Sequence, residues 1–188
     1  MTAASSIASA PPGTKVASIS EVYRLHAGDV ARWAARLGGP QVDVEDVVQD
    51  VFLTAHRLLP EFRGEAKITT WLFRITQNQV RHRLRRLRLR RLFSSSEEGD
   101  ILAELPSGTP SPVDDLERKE ARATVYRILD GMSDKYRTAF ILFEIEKLPG
   151  EDIAQLLNQK VATIWVWLHR ARAQFLDGLA KHNKSERS

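Results

Sequence analysis

Residues 94–115 hold six acids (Glu97, Glu98, Asp100, Glu104, Asp114 and Asp115) and no cation, together with Pro106, Pro110, Pro112, Gly99, Gly108 and a serine run at 94–96. A segment this polar and this rich in breakers buries too little apolar surface to offset the entropy of ordering it. It reads as an extended or disordered linker over residues 93–114. It cuts the 188-residue chain into two halves of about 75 residues, a size at which a hydrophobic core is marginal. With no Cys, neither half can be stapled by disulfides, and zinc–thiolate sites, iron–sulfur clusters and cysteine catalysis are excluded. Each half therefore needs an efficient helical core. The expected fold class is all-α: two small helical domains, residues 19–92 and 115–180, joined by a flexible acidic linker. Residues 1–18, rich in Ala, Ser, Pro and Gly, and residues 181–188 read as tails.

In the first half, Ile19, Val22, His26, Val30, Trp33 and Leu37 recur at helical spacing, with Ser20 as the expected cap and Gly38-Gly39-Pro40 as the stop. A second helix is predicted from about Val44 to Leu59. Its wheel collects Val44, Val47, Val48, Val51, Phe52, Ala55, Leu58 and Leu59 on one side and Asp43, Glu45, Asp46, Gln49 and Asp50 on the other. That acidic edge is either a solvated helix start, where acids suit the dipole, or a docking surface for a basic partner. A third helix, starting at Thr69 or Thr70, runs into seven arginines between Arg81 and Arg91 without one acid. Arg74, Asn78, Arg81 and Arg85 fall within roughly 60° of one another on its wheel. Trp71 borders that stripe and Lys67 precedes it. Ile68, Leu72 and Ile75 line one apolar face and Phe73, Val80 and Leu84 another. Guanidinium groups hold phosphates, an amide reads base edges, and an indole stacks on an unstacked base, so the stripe suits nucleic acid.

In the second half a helix is predicted over Leu116–Met132 with Ala121, Val125, Ile128, Leu129 and Met132 inward. Ser133 caps a largely buried helix carrying Tyr136, Ala139, Phe140, Leu142, Phe143 and Ile145, which Leu148-Pro149-Gly150 breaks. A short helix from Glu151 to Leu157, a left-handed Asn158 and a last helix from about Ala162 to Leu179 make a helix-turn-helix, whose second helix can enter a major groove.

Charge and composition narrow the function classes. Twenty of the 28 cations are Arg, the net charge is +4 and the pI is near 9.6, which favours phosphate-rich partners. No run of 18 apolar residues exists and no secretory signal opens the chain, so no membrane insertion and a cytoplasmic location are expected. The five histidines (His26, His56, His82, His169 and His182) show neither metal spacing nor a paired acid–base arrangement. No metal, no cofactor and no catalytic residue are expected, and the chain is not read as an enzyme.

Two stretches resemble a known family. DVEDVVQDVFLTAHRLLPEFRGEAKITTWLFRITQNQV is similar to region 2 of bacterial sigma factors, and MSDKYRTAFILFEIEKLPGEDIAQLLNQKVATIWVWLHRARAQF to region 4. The missing domain between them points to the small extracytoplasmic-function (group IV) class. The resemblance implies that Asp43, Glu45, Asp46, Gln49 and Asp50 dock on the β′ clamp helices of core RNA polymerase, which favours the docking reading of that edge. It implies that Lys67, Trp71, Arg74, Asn78, Arg81 and Arg85 hold the melted −10 element, with Asn78 at a flipped-out base. Region 4 would meet the β flap and the −35 element, with Thr163, Trp165, Trp167, His169, Arg170 and Arg172 toward DNA. An anti-sigma factor is a further expected partner. The acidic linker would lie in the RNA exit path and mimic RNA there. The competing reading is a helix-turn-helix regulator that binds DNA without polymerase.

The chain departs from the family in its recognition helix. Trp165, Val166 and Trp167 replace a polar triplet. Three readings stay open: the indoles pack on thymine methyls or sugar edges, they bind a protein partner, or they pack into an atypical core. Pro149 also stands where the family often has a Ser cap.

Overall fold

The computed structural model describes residues 18–93 and 112–186, all in helices and short connections. The predicted tail 1–17 and linker residues 94–111, with the acids assigned to RNA mimicry up to Glu104, lie outside the described residues.

The first half is a three-helix unit: α1 (Ile19–Gly38), α2 (Val44–Leu58) and α3 (Ile68–Phe93). The cap of α1 is Ser18, not the expected Ser20: its side chain accepts from the Glu21 N–H at 3.2 Å, and the helix starts accordingly early. It ends at Gly39, whose φ of 67° and ψ of −159° belong to a region open essentially to glycine alone. Val22, Val30, Trp33 and Leu37 of α1, Val47, Val51, Phe52 and Ala55 of α2, and Leu72, Phe73, Ile75, Val80 and Leu84 of α3 form the core. Trp33 meets Phe73 edge-on at 5.3 Å. Fully burying side chains of this size contributes about 1.5–3 kcal/mol each, which lets so short a unit hold together. Both predicted apolar faces of α3 are buried, so its remaining polar stripe is fixed in direction.

The second half comprises α4 (Pro112–Asp130), α5 (Asp134–Phe140), continued by a π turn at Ile141–Ile145, then α6 (Gly150–Leu157) and α7 (Val161–Glu186). Four expectations change here. Helix α4 begins at Pro112, inside the segment read as linker, and α7 runs through Glu186, where a tail was expected from 181. Ala121 is exposed while Tyr126 takes the buried position. Ser133 stands at the N-cap of α5, but its carbonyl, not its hydroxyl, accepts from Tyr136 and Arg137 at 3.0 Å. Lys147, at φ 58°, turns the chain before Pro149, and Gly150 opens α6 with no side-chain cap. Asn158 takes the predicted left-handed position at φ 53°.

The halves touch. The Tyr126 ring lies over Gly39, where a Cβ would come within 2.3 Å of it, and its hydroxyl donates to the Arg36 carbonyl at 2.8 Å. The Glu146 side chain, only 9% exposed, accepts from Arg36 Nε at 2.8 Å, with Arg32 Nε at 3.3 Å. Gln41 donates to Asp130 at 2.8 Å and Gln77 to Thr138 at 3.2 Å. Arg137 is buried beside Asp130 at 3.5 Å, and burial pushes its pKa down.

Candidate functional site

The acidic edge of α2 is partly committed within its own half. Asp43 caps the helix, its Oδ1 accepting from the Asp46 N–H at 3.1 Å. Arg83 reaches across from α3, its Nη1 3.0 Å from Asp46 and its Nη2 2.6 Å from Asp50. Burial opposes the Arg83 charge, but hydrogen bonds to Asp50 and Asp46 raise its pKa above the usual value. Glu45 and Gln49 stay exposed and Asp50 is half-buried. Sequence reading grouped Arg83 with its neighbours. The overlooked signal was angular, since two residues along a helix from Arg81 is a turn of roughly 200°.

The stripe on α3 is assembled as the wheel predicts. Arg74, Asn78, Arg81 and Arg85 are all exposed, and Arg81 Nη2 donates to Asn78 Oδ1 at 2.7 Å. Among the described residues no carboxylate pairs with Arg74, Arg81 or Arg85. At the head of the stripe, half-buried Trp71 packs on Phe62 with ring centroids 5.0 Å apart, an aromatic partner that sequence reading missed. Lys67 is half-buried, and its carbonyl accepts from the Trp71 N–H at 3.1 Å. The loop between Phe62 and Lys67 turns at Gly64, φ 72°. An amide, three guanidinium groups with no carboxylate partner among the described residues, and an indole thus share one surface, on the side of α3 turned away from the acids that Arg83 meets.

In the helix-turn-helix, Ile164, Leu168 and Ala171 are fully buried and Phe175 stacks on Phe140 at 4.8 Å, the expected inward stripe of α7. Trp165 is 45% exposed, yet it is anchored: it meets Phe143 edge-on at 5.5 Å and fills the space over Gly150. Trp167 is half-buried against the core. Thr163 is half-buried and His169 exposed. Arg170 donates to the Tyr136 hydroxyl at 3.1 Å, which lowers the Tyr136 pKa. Arg172 pairs with Glu144 at 2.7 Å and lies over the Phe143 ring at 5.3 Å.

Known proteins resemble this chain in sequence and fold. The family described as Sigma-70 region 2 matches residues 22–90, and Sigma-70 region 4 matches residues 122–175. The ECF RNA polymerase sigma-E factor of Escherichia coli is 34% identical over 139 residues, 71% of this chain and 72% of its own length. The chain belongs to the extracytoplasmic-function sigma factors.

The ECF sigma factor SigE of Mycolicibacterium smegmatis is 33% identical over 166 residues, 88% of this sigma factor but 63% of the relative's length. Among solved structures, the sigma factor RpoE of Bartonella quintana in complex with the anti-sigma factor NepR has a TM-score of 0.59 at 22% identity, covering 86% of this chain and 96% of that one. CnrH in complex with the cytosolic domain of CnrY has a TM-score of 0.54 at 24% identity, covering 87% and 88%. Both share the fold. Among the described residues no helix is long and apolar enough to cross a membrane, and no group of three or more His, Cys, Asp or Glu could hold a metal ion.

Proposed function

We propose that this sigma factor binds the β′ clamp helices of core RNA polymerase through the α2 edge (Asp43, Glu45, Asp46, Gln49 and Asp50). It holds the non-template strand of a melted −10 element on α3, and sets α7 in the major groove of the −35 element, with the β flap as a second polymerase contact. The observation that carries this reading is the α3 stripe: Asn78 stands among Arg74, Arg81 and Arg85, all exposed and, among the described residues, paired with no carboxylate, with the indole of Trp71 at its head. Cations retain the strand, the ring stacks, and the amide reads an extruded base. The chain supplies no reacting group; polymerase performs the chemistry, in the cytoplasm. By analogy with RpoE and NepR, an anti-sigma factor restrains it.

Engagement of both promoter elements requires the halves to part. The elements lie roughly 25 base pairs apart, about 85 Å of duplex at 3.4 Å per pair. A docked chain of this size has a radius of gyration of only about 16 Å. The contacts around Gly39, Tyr126 and Glu146 therefore belong to a closed state that yields when polymerase binds.

Run-off transcription with core polymerase on promoter-containing genomic fragments tests the reading. Asn78→Ala should form holoenzyme and fail at open-complex formation. Glu45→Arg with Gln49→Arg should fail at assembly; these two residues are exposed and outside the Arg83 ion pairs. Identical defects in both variants would refute the division of labour. Tight sequence-specific binding by the chain without polymerase would favour the regulator reading.

A further inference from the structure

The part of α7 that would face DNA has an arrangement that follows neither from the fold nor from the promoter-binding reading. Ala162, Val166, His169 and Ala173 are all exposed, and on a helical wheel they fall within roughly 60° of one another, forming the crest of the helix. Arg170 and Arg172 sit roughly 80° to either side of that crest. Each is held on its flank by its own domain, Arg170 by Tyr136 at 3.1 Å and Arg172 by Glu144 at 2.7 Å. Trp165 borders the crest, its indole anchored by Phe143 and by the close approach over Gly150. Val166 has no such anchor and is 50% exposed. Along the crest, the single side chain able to exchange hydrogen bonds with a base edge is His169.

A crest that is apolar at its centre, with Arg170 bonded to a phenol on one flank and Arg172 paired to Glu144 on the other, fits a major groove, where phosphates line the walls and base edges the floor. The apolar group that base pairs present on that floor is the 5-methyl of thymine. We propose that this sigma factor reads thymine methyl groups in its −35 element through Val166 and Ala162, with the edge of the fixed Trp165 indole as the wall of the contact. The inference rests on the promoter-binding reading and deepens it: the −35 element should carry thymine under the crest, selected by methyl contact and not by a bidentate arginine or amide.

The test uses holoenzyme assembled from core polymerase and the full chain, on a promoter recovered by run-off from genomic fragments. Each −35 thymine is replaced in turn by deoxyuridine, which removes the methyl and leaves pairing intact. Loss of one buried methyl should weaken promoter binding by about fourfold. That loss should appear at one or two adjacent positions and disappear in Val166→Ala holoenzyme, which binds the thymine and deoxyuridine promoters alike. Val166 is surface-exposed, so the variant should fold, and the DNA substitutions do not touch folding at all. If every deoxyuridine promoter binds as the parent does while initiation persists, methyl readout is wrong and the promoter-binding reading survives. A deoxyuridine effect undiminished in Val166→Ala would overturn the assignment to the crest. If Val166→Ala impaired holoenzyme assembly without deoxyuridine sensitivity, the crest would be a protein contact instead. Failure to initiate from any fragment would sink both readings.

Discussion

Each half of this sigma factor has one helix proposed to meet DNA, and the two helices carry arginine in different company. On α3, Arg74, Arg81 and Arg85 have no carboxylate partner among the described residues, and Arg81 donates to the Asn78 amide. On α7, Arg172 is tied to Glu144 and Arg170 to Tyr136. The same contrast appears within α3: Arg83, pointing the other way, is spent on Asp46 and Asp50. Partnering, not the number of arginines, decides which charges remain available to a strand of nucleic acid. On the proposed reading, the first half holds a backbone by charge, and the second fits a groove by shape and apolar contact.

The largest effect should come from removing the free charges. Arg74→Ala, Arg81→Ala and Arg85→Ala together should lower promoter affinity on the order of a hundredfold and reduce the salt slope by about two units, the share of three single-strand phosphate contacts. Titration of promoter binding against salt measures both. An unchanged slope would erase the proposed contrast between the two helices.

Next in size is the contact that keeps the halves together. Gly39→Ala should cost about 1–3 kcal/mol, because its backbone region admits essentially glycine alone. The added Cβ would also strike the Tyr126 ring. The closed state should open, with a larger radius of gyration by small-angle scattering and helicity retained. A scattering curve identical to the parent's would show that the halves are not held there.

Most of this architecture was legible in the sequence where one short-range rule decided the outcome. Periodicity placed the cores of α1, α2 and α3, Gly38-Gly39-Pro40 marked a stop, and Asn158 marked the left-handed turn. The wheel grouped Arg74, Asn78, Arg81 and Arg85. Illegible were the features set by contacts distant in sequence. Tyr126 is buried because the other half covers it, Glu144 matters because Arg172 lies 28 residues on, and Trp165 is anchored by Phe143 and Gly150 across the turn. Helix ends failed for a second reason. Ser18 and Ser20 are equally good caps by type, and only the fold selects between them.

A smaller effect separates charge from structure on α7. Arg172→Ala should lower the stability of the second half by up to about 1 kcal/mol, since its ion pair is half-exposed and screened. It should change the salt slope of promoter binding by less than one unit, because that guanidinium is already neutralised by Glu144. Thermal unfolding and the salt titration read these separately, and a full-unit change in slope would mean that Arg172 leaves Glu144 for phosphate.

The smallest effect pits one tyrosine against another. Burial raises the Tyr126 pKa above its ordinary 10.0, against the lowering fields of Arg122, Arg36 and Arg137 and with a small push from Glu146. For Tyr136, the hydrogen bond from Arg170 does the opposite and lowers it. A phenol with a raised folded pKa favours the unfolded or undocked state once pH exceeds the ordinary value, since the free chain then releases the proton more readily. It also loses the donor that bonds the Arg36 carbonyl. As pH rises through 10, the contact between halves should therefore weaken while the Arg170–Tyr136 contact strengthens. Ultraviolet difference absorbance should show Tyr136 ionising first, and scattering should show the chain opening only as Tyr126 follows. Tyr126→Phe should shift that opening to higher pH, because the ring still covers Gly39 and no proton is left to lose. Opening at the same pH in the variant would place the alkaline weak point elsewhere in the interface.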